Sequence, residues 1–289
     1  MNIGSLLPRH ARFRSNHLAF VFEKERFCFF DLNSCVNKLS NSLLALGIRK
    51  GQKMATILPN CEELMLLYWA AAKTGIIIVP GSPLLNDSGI KNLLKDSDSV
   101  IVFADSKFVN TMKRLKKYLP KIKNGHFIII GETKENLTFQ NYKNFISKSS
   151  IKEPPNAELK KNDIYNIMYS SGTTGEPKGI VHTHYVRANY CTHFASTLRM
   201  SPESIILHIG AIVFNGAMLV LMPWMYLGAT FILQKDFEEE KVLKTIEEEN
   251  VTHMVMVPSQ IIKLLNHPKF EPKKLNSLEM LLSVGAPLL

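Results

Sequence analysis

Cysteine is scarce in this chain, with four in 289 residues. Cys28, Cys35, Cys61 and Cys191 show neither paired nor zinc-type spacing, which argues against a disulfide scaffold and reads as free thiols in a reducing compartment. No apolar leader is expected, because Pro8, Arg9, His10, Arg12 and Arg14 interrupt the stretch where one would lie. Internal repeats and low-complexity tracts are missing, which excludes a solenoid or a disordered chain. Acidic residues are outnumbered, 25 against 35 basic, for a net charge of +10. That balance suits anionic ligands, but the basic residues are spread out. The one dense cluster, Lys113-Arg114-Leu115-Lys116-Lys117 with Lys121 and Lys123, alternates with apolar residues as a solvated helix face does, so no nucleic acid is expected as a partner. Charge is wholly absent from Ile205 to Leu233, a length compatible with a membrane span. Gly210, Asn215, Gly216, Pro223 and Gly228 divide that stretch, so a buried strand–helix–strand unit is expected instead.

What is present is core material, 46% hydrophobic residues, enough for one large domain or two smaller ones. Apolar runs alternate with helical patterns. Leu32, Val36, Leu39, Leu43 and Leu46 form one helical stripe, with Asp31 a candidate cap and Gly47 a candidate stop. A strand follows at 53–58, then a helix at 61–73 capped by Asn60 and ended by Gly75, then the wholly apolar strand Ile76-Ile77-Ile78-Val79. Helices at 89–95 and 106–118 alternate with strands at 100–103 and 126–130, and 148–162 reads as a polar surface connection. Strands are expected at 164–168, 204–208, 228–233, 252–257 and 278–283, and helices at 184–198, 216–227, from Asp236 through Glu249, and at 259–265. This alternation predicts an α/β fold with parallel sheets. Left unpaired, the last strand would be an aggregation hazard.

The stretch with chemistry in it is Tyr169-Ser170-Ser171-Gly172-Thr173-Thr174-Gly175-Glu176-Pro177-Lys178-Gly179. Its glycines let the backbone bend and approach a ligand closely. Successive N–H groups can cup an anion, the four hydroxyls add donors, and Lys178 adds a point charge suited to a polyphosphate. The Walker-type loop is excluded, since it ends in Gly-Lys-Ser/Thr and here Lys178 lies between Pro177 and Gly179.

The stretch resembles the phosphate-loop signature of the adenylate-forming superfamily, which includes acyl-CoA synthetases and peptide-synthetase adenylation domains. Every fixed position from Tyr169 to Gly179 matches, and Thr183-His184 matches the Thr-His that often follows. The resemblance runs from about residue 6 to the end and implies the layered parallel-sheet sandwich of an adenylate-forming N-terminal domain. Residues 1–289 would be an incomplete domain, with lobes near 51–195 and 196–289 and residues 1–50 packing on them. It implies activation of a carboxylic acid by ATP with magnesium, then transfer to coenzyme A. A fatty acid is expected, with an amino acid or a carrier-linked acyl chain as the other substrate classes. It also implies that Ser170, Ser171, Gly172, Thr173, Thr174, Gly175 and Lys178 hold the phosphates and that His184 positions the loop. Leu278 to Leu288 is similar to the segment that runs past the adenylate, with Val284 in place of a glycine, making Gly285 and Ala286 candidate wall residues; a strand and an ordinary turn is the other reading. Phe214, Asn215 and Gly216 fall where relatives line the acyl pocket, but the usual His is missing, and plain core is the alternative. His182 and His184, with only His193 nearby, are too few for a metal site, and none is expected. No catalytic residue is assigned within the chain. The catalytic Lys, the Tyr-Gly-x-Thr-Glu stretch and the C-terminal domain would lie downstream, so the chain is expected to be a fragment, or a remnant that at most binds nucleotide. Its expected location is cytoplasmic, with peripheral membrane attachment as a variant and no transmembrane span.

Overall fold

In the computed structural model, residues 2–132, 139–170 and 177–287 are described. In chain order they form α1 (Leu6–Phe13), β1 (Leu18–Phe22), β2 (Glu25–Cys28), α2 (Phe29–Ala45), β3 (Lys53–Ile57), α3 (Glu62–Thr74), β4 (Ile77–Gly81), α4 (Asp87–Asp96), β5 (Ser99–Asp105), α5 (Val109–Leu115), β6 (Phe127–Ile130), β7 (Gln140–Asn141) and α6 (Tyr142–Ile146). Then come β8 (Ile164–Ser170), β9 (Lys178–Thr183), α7 (His184–Thr197), β10 (Ile205–His208), α8 (Met218–Leu227), β11 (Thr230–Leu233), α9 (Glu239–Glu249), β12 (His253–Met256), α10 (Pro258–Leu265) and β13 (Met280–Ser283).

The chain divides into two compact units. One comprises Met1–Pro8 with Asn33–Arg187, the other Arg9–Leu32 with Ala188–Leu289. Residues 1–50 are thus shared between the units.

The first unit is built on a seven-stranded sheet, order β7-β6-β5-β3-β4-β8-β9. Its strands are parallel except for the β8–β9 hairpin at one edge. The strand β4 is buried at every position, as a strand covered on both faces must be. Helix α3 is buried from Leu64 to Thr74, an all-round apolar helix with no solvent face. Gly75 ends it in the left-handed region at φ 70°, the conformation its lack of a Cβ permits. Asn60 does not cap α3. Cys61 occupies that position without a side-chain cap bond.

The polar connection before β8 is strapped to α2 by a ladder of amides. Asn41 donates to the carbonyls of Ser150 and Lys152 at 2.8 and 2.9 Å, and Asn37 donates to that of Ile151 at 2.9 Å. Beneath it the buried Lys73 ammonium donates to Asn33, Asn37 and Glu153 at 2.6, 2.5 and 2.8 Å, so all three of its protons are used. Burial lowers its pKa to about 8 despite Glu153.

The second unit carries a six-stranded sheet, order β13-β12-β10-β11-β1-β2, parallel except for the β1–β2 hairpin. Its uncharged stretch folds as strand, helix, strand. Trp224 of α8 is fully buried, its indole N–H shared between the carbonyls of Ala19 and Ala229. Among the described residues no helix is long and apolar enough to cross a membrane. Among the described residues the last strand pairs with β12 alone. Helix α2 starts at Phe29, so Asp31 lies inside its first turn, where its carboxylate accepts from the Cys28 thiol. Glu238, not Asp236, holds the cap position of α9.

Candidate functional site

In an open parallel sheet every strand delivers its following loop to the same edge, which makes the carboxyl end the usual place for a ligand. The glycine-rich stretch leaves from that end of β8. Ser170 pairs with Lys178 and Tyr169 with Gly179, so the two flanks of the stretch are joined as an antiparallel hairpin, and the helix α7 begins only after β9. Ser170 and Lys178 flank the tip and are exposed. Ser171, Gly172, Thr173, Thr174 and Gly175 lie outside the described residues.

The base of the hairpin is held on both faces. A Cβ on Gly179 would fall 2.9 Å from a methyl of Ile167 and 3.1 Å from the Tyr169 ring, so a larger residue there would push on both side chains. The Tyr169 hydroxyl donates to the Asp96 carboxylate at the end of α4, and burial together with that carboxylate raises the phenol pKa above its usual range. Tyr169 and Pro177 thereby form one wall of a cleft of about 630 Å³, closed on the α4 side by Leu85, Asn86, Leu93 and Asp96. Under the hairpin Arg187 is fully buried, with Nε donating to Asn166 at 3.0 Å and another nitrogen facing the Met168 sulfur at 3.5 Å. Sequence reasoning missed Arg187. The only signal was a cation on a helix whose neighbours, Ala188 and Cys191, are buried.

His182 and His184 lie along and beyond β9. Burial first, and the Arg187 guanidinium second, lower the His182 pKa to about 4; burial does the same to His184. Thr183 pairs with Ile164, six positions from the hairpin tip, so His184 sits ~20 Å of strand away from Ser170 and Lys178. Any hold it has on the loop is transmitted through the strand pair. Its ring packs edge-on against Tyr165 at 5.4 Å.

The remaining candidates belong to the second unit. Phe214 is exposed, Asn215 is exposed and Gly216 is half-buried, in the turn between β10 and α8. Gly285, at φ 90°, and Ala286 are exposed just beyond β13. Because β10, β12 and β13 are parallel neighbours, both segments emerge from the carboxyl end of the same sheet. At that end His208, the last residue of β10, is buried with its ring 6.0 Å from Phe231. Burial lowers its pKa to about 4; the Gly210 carbonyl opposes this slightly, without a hydrogen bond of normal geometry. Sequence reasoning did not single out His208. Among the described residues no group of three or more His, Cys, Asp or Glu is arranged to hold a metal ion.

The sequence pattern of the AMP-binding enzyme family matches residues 7–289. A long-chain-fatty-acid–CoA ligase of Bacillus subtilis (strain 168) is 28% identical over 99% of this chain and 55% of its own length. The long-chain-fatty-acid–CoA ligase FadD13 of Mycobacterium tuberculosis is 28% identical over 99% of this chain and 56% of its own. The chain therefore spans about half the length of the curated relatives it matches. The crystal structure of the anthranilate CoA ligase AuaEII in complex with anthranoyl-AMP superimposes with a TM-score of 0.92 at 23% identity, covering all of this chain and 56% of that one.

Proposed function

This chain belongs to the AMP-binding enzyme family, and from that premise we propose that it supplies the triphosphate-gripping loop and part of the acid pocket of an ATP-dependent acid–thiol ligase. The observation that carries the reading is the hairpin. It brings Ser170 and Lys178, the two flanks of the hydroxyl- and glycine-rich stretch, together at the carboxyl end of a parallel sheet, on a base that Gly179, Ile167 and Tyr169 pack tightly.

In this reading a carboxylate oxygen attacks the α-phosphorus of ATP, the bond to the β-phosphate oxygen breaks, and pyrophosphate leaves. The thiol of coenzyme A then displaces AMP from the acyl-adenylate. Such displacements depend on positioning and charge neutralisation rather than on covalent groups of the protein. Ser170 to Lys178 hold the β- and γ-phosphates, with Lys178 as the point charge. Oxygen donors without a carboxylate cage suit magnesium arriving on the triphosphate, where it would neutralise developing charge. Phe214, Asn215 and Gly216 line the acyl side and Gly285 and Ala286 the adenylate side. The exposed Phe214 ring beside one amide suits an aliphatic tail, and two relatives named as long-chain-fatty-acid–CoA ligases point the same way. His184 supports the hairpin from its far end.

A second reading, nucleotide binding without turnover, rests on the same hairpin, since holding a triphosphate asks for no reacting group. ATP–pyrophosphate exchange with a panel of fatty, aromatic and amino acids separates the two. Acid-dependent exchange by the 289-residue chain supports the ligase reading. Binding of ATP without exchange supports the second, and absence of both contradicts each.

A further inference from the structure

The pairing of β8 with β9 is one-to-one from Asn166 to Ser170. Asn166 faces His182, Met168 faces Ile180 and Ser170 faces Lys178. Side chains alternate along a strand, and residues directly opposite share a face. One face of the hairpin therefore carries three rungs in a row: Asn166–His182, Met168–Ile180 and Ser170–Lys178. The other face carries Ile167 and Tyr169, which pack into the buried cluster of the first unit.

Arg187, in the first turn of α7, lies against the first two rungs. It is fully buried, its Nε donates to the Asn166 side-chain oxygen at 3.0 Å, and a terminal nitrogen reaches the Met168 sulfur at 3.5 Å. The guanidinium thus points along the strand, from the first rung towards the second. The next rung is Ser170–Lys178, ~7 Å further along. The charge is felt by its neighbours. Burial lowers the His182 pKa and the guanidinium adds to that effect; burial and Tyr165 raise that of Tyr68 and the guanidinium opposes them.

Two cations therefore serve this end of the hairpin in different states. Lys178 is exposed, so water and salt screen it, and its stem must be ordered when an anion arrives. Arg187 is already held in place and out of the solvent, so its field acts without reorganisation. We infer that Arg187 is a positioning residue for the triphosphate: it holds the face of β8 that ends in Ser170 and keeps a fixed positive potential beneath an anion held at Ser170 and Lys178. It does not touch the ligand. This role presupposes that the hairpin grips a triphosphate, as proposed above.

Calorimetric titration of ATP, with and without magnesium, into the 289-residue chain and two variants is the test. Asn166→Asp sets a carboxylate against Nε, which neutralises the guanidinium where it stands while strengthening the bond that holds β8. If Arg187 were only a strut, ATP affinity would survive that change. Weakening of about tenfold is expected instead, and more for metal-free ATP, which carries the larger charge. The His182 ring reports the neutralisation by titrating above its wild-type pKa of about 4. Arg187→Met, which removes the charge and keeps the stem, should weaken ATP to a similar extent. Wild-type affinity in either variant, with the far-UV circular dichroism unchanged, overturns the inference and leaves the hairpin reading in place. An equal loss for both forms of ATP would mean altered shape rather than altered charge, and overturns it too. Absence of ATP binding by the unsubstituted chain contradicts the hairpin reading itself, and the role of Arg187 falls with it.

Discussion

Strands β4 and β9 belong to the same sheet with only β8 between them, yet they are built to opposite rules. Every residue of β4 is buried, and the strand is pure packing. In β9, Lys178 to Val181 are exposed, with half of Ile180 and Val181 open to solvent at the free edge. Strand β4 contributes stability and no chemistry. The edge hairpin carries the flanks of the glycine-rich stretch on a closely packed base. The lesson is that the interior of this sheet holds the geometry while its edge carries the two flanks of the stretch proposed to meet ATP.

The contrast can be broken first at its strongest point. Ile78→Ala in β4 deletes a fully buried side chain and should cost about 2–5 kcal/mol in urea denaturation, the range for cavities in a packed core. A loss below 1 kcal/mol would remove the distinction between the two strands. Gly179→Ala probes the one tight position at the edge. Its Cβ must displace Ile167 or the Tyr169 ring, so a cost of about 1–3 kcal/mol is expected, together with weaker nucleotide binding.

Acid sharpens the comparison across the two sheets. His208 ends an interior strand of the second unit, with its pKa lowered by burial to about 4 from an ordinary 6.5. Between those values the unfolded chain binds a proton that the folded chain does not, so stability falls as pH drops through that window. His208→Phe should reduce the slope of unfolding free energy against pH by about one proton per molecule there. An unchanged slope would mean that the ring is hydrated and titrates normally. The smallest effect belongs to the open edge. Val181→Thr should change stability by less than about 0.5 kcal/mol, because a half-exposed edge residue has little packing to lose.

The same division explains what could be read from the residues alone. Strand β4 and helix α3, with Gly75 as its stop, announce themselves as long apolar runs bounded by turn residues. The uncharged stretch around α8 resolves correctly for the same reason, since Gly228 stops that helix in the left-handed region. Strands with a wet face are harder to see. Strand β2, Glu-Arg-Phe-Cys, shows no clear alternation, and β9 reads as the tail of the glycine-rich loop, so both antiparallel hairpins escaped an expectation of parallel pairing. Caps at Asn60, Asp31 and Asp236 were misplaced by one to three residues, because packing rather than capping sets where those helices start. The stretch from Tyr169 to Gly179 stood out through its residue order, and of its candidate residues only Ser170 and Lys178 are described. The Tyr169–Asp96 bond, the buried Arg187 and the orphaned His208 were not, because each depends on a partner or an enclosure far away in sequence.

The account stands on the hairpin tip gripping a triphosphate, and calorimetric titration of MgATP into the chain and into Lys178→Ala tests that most directly. The account predicts saturable binding to the chain, weakened about tenfold or more by loss of the ammonium at an unchanged melting temperature. No heat of binding, or the same affinity in both proteins, would contradict it.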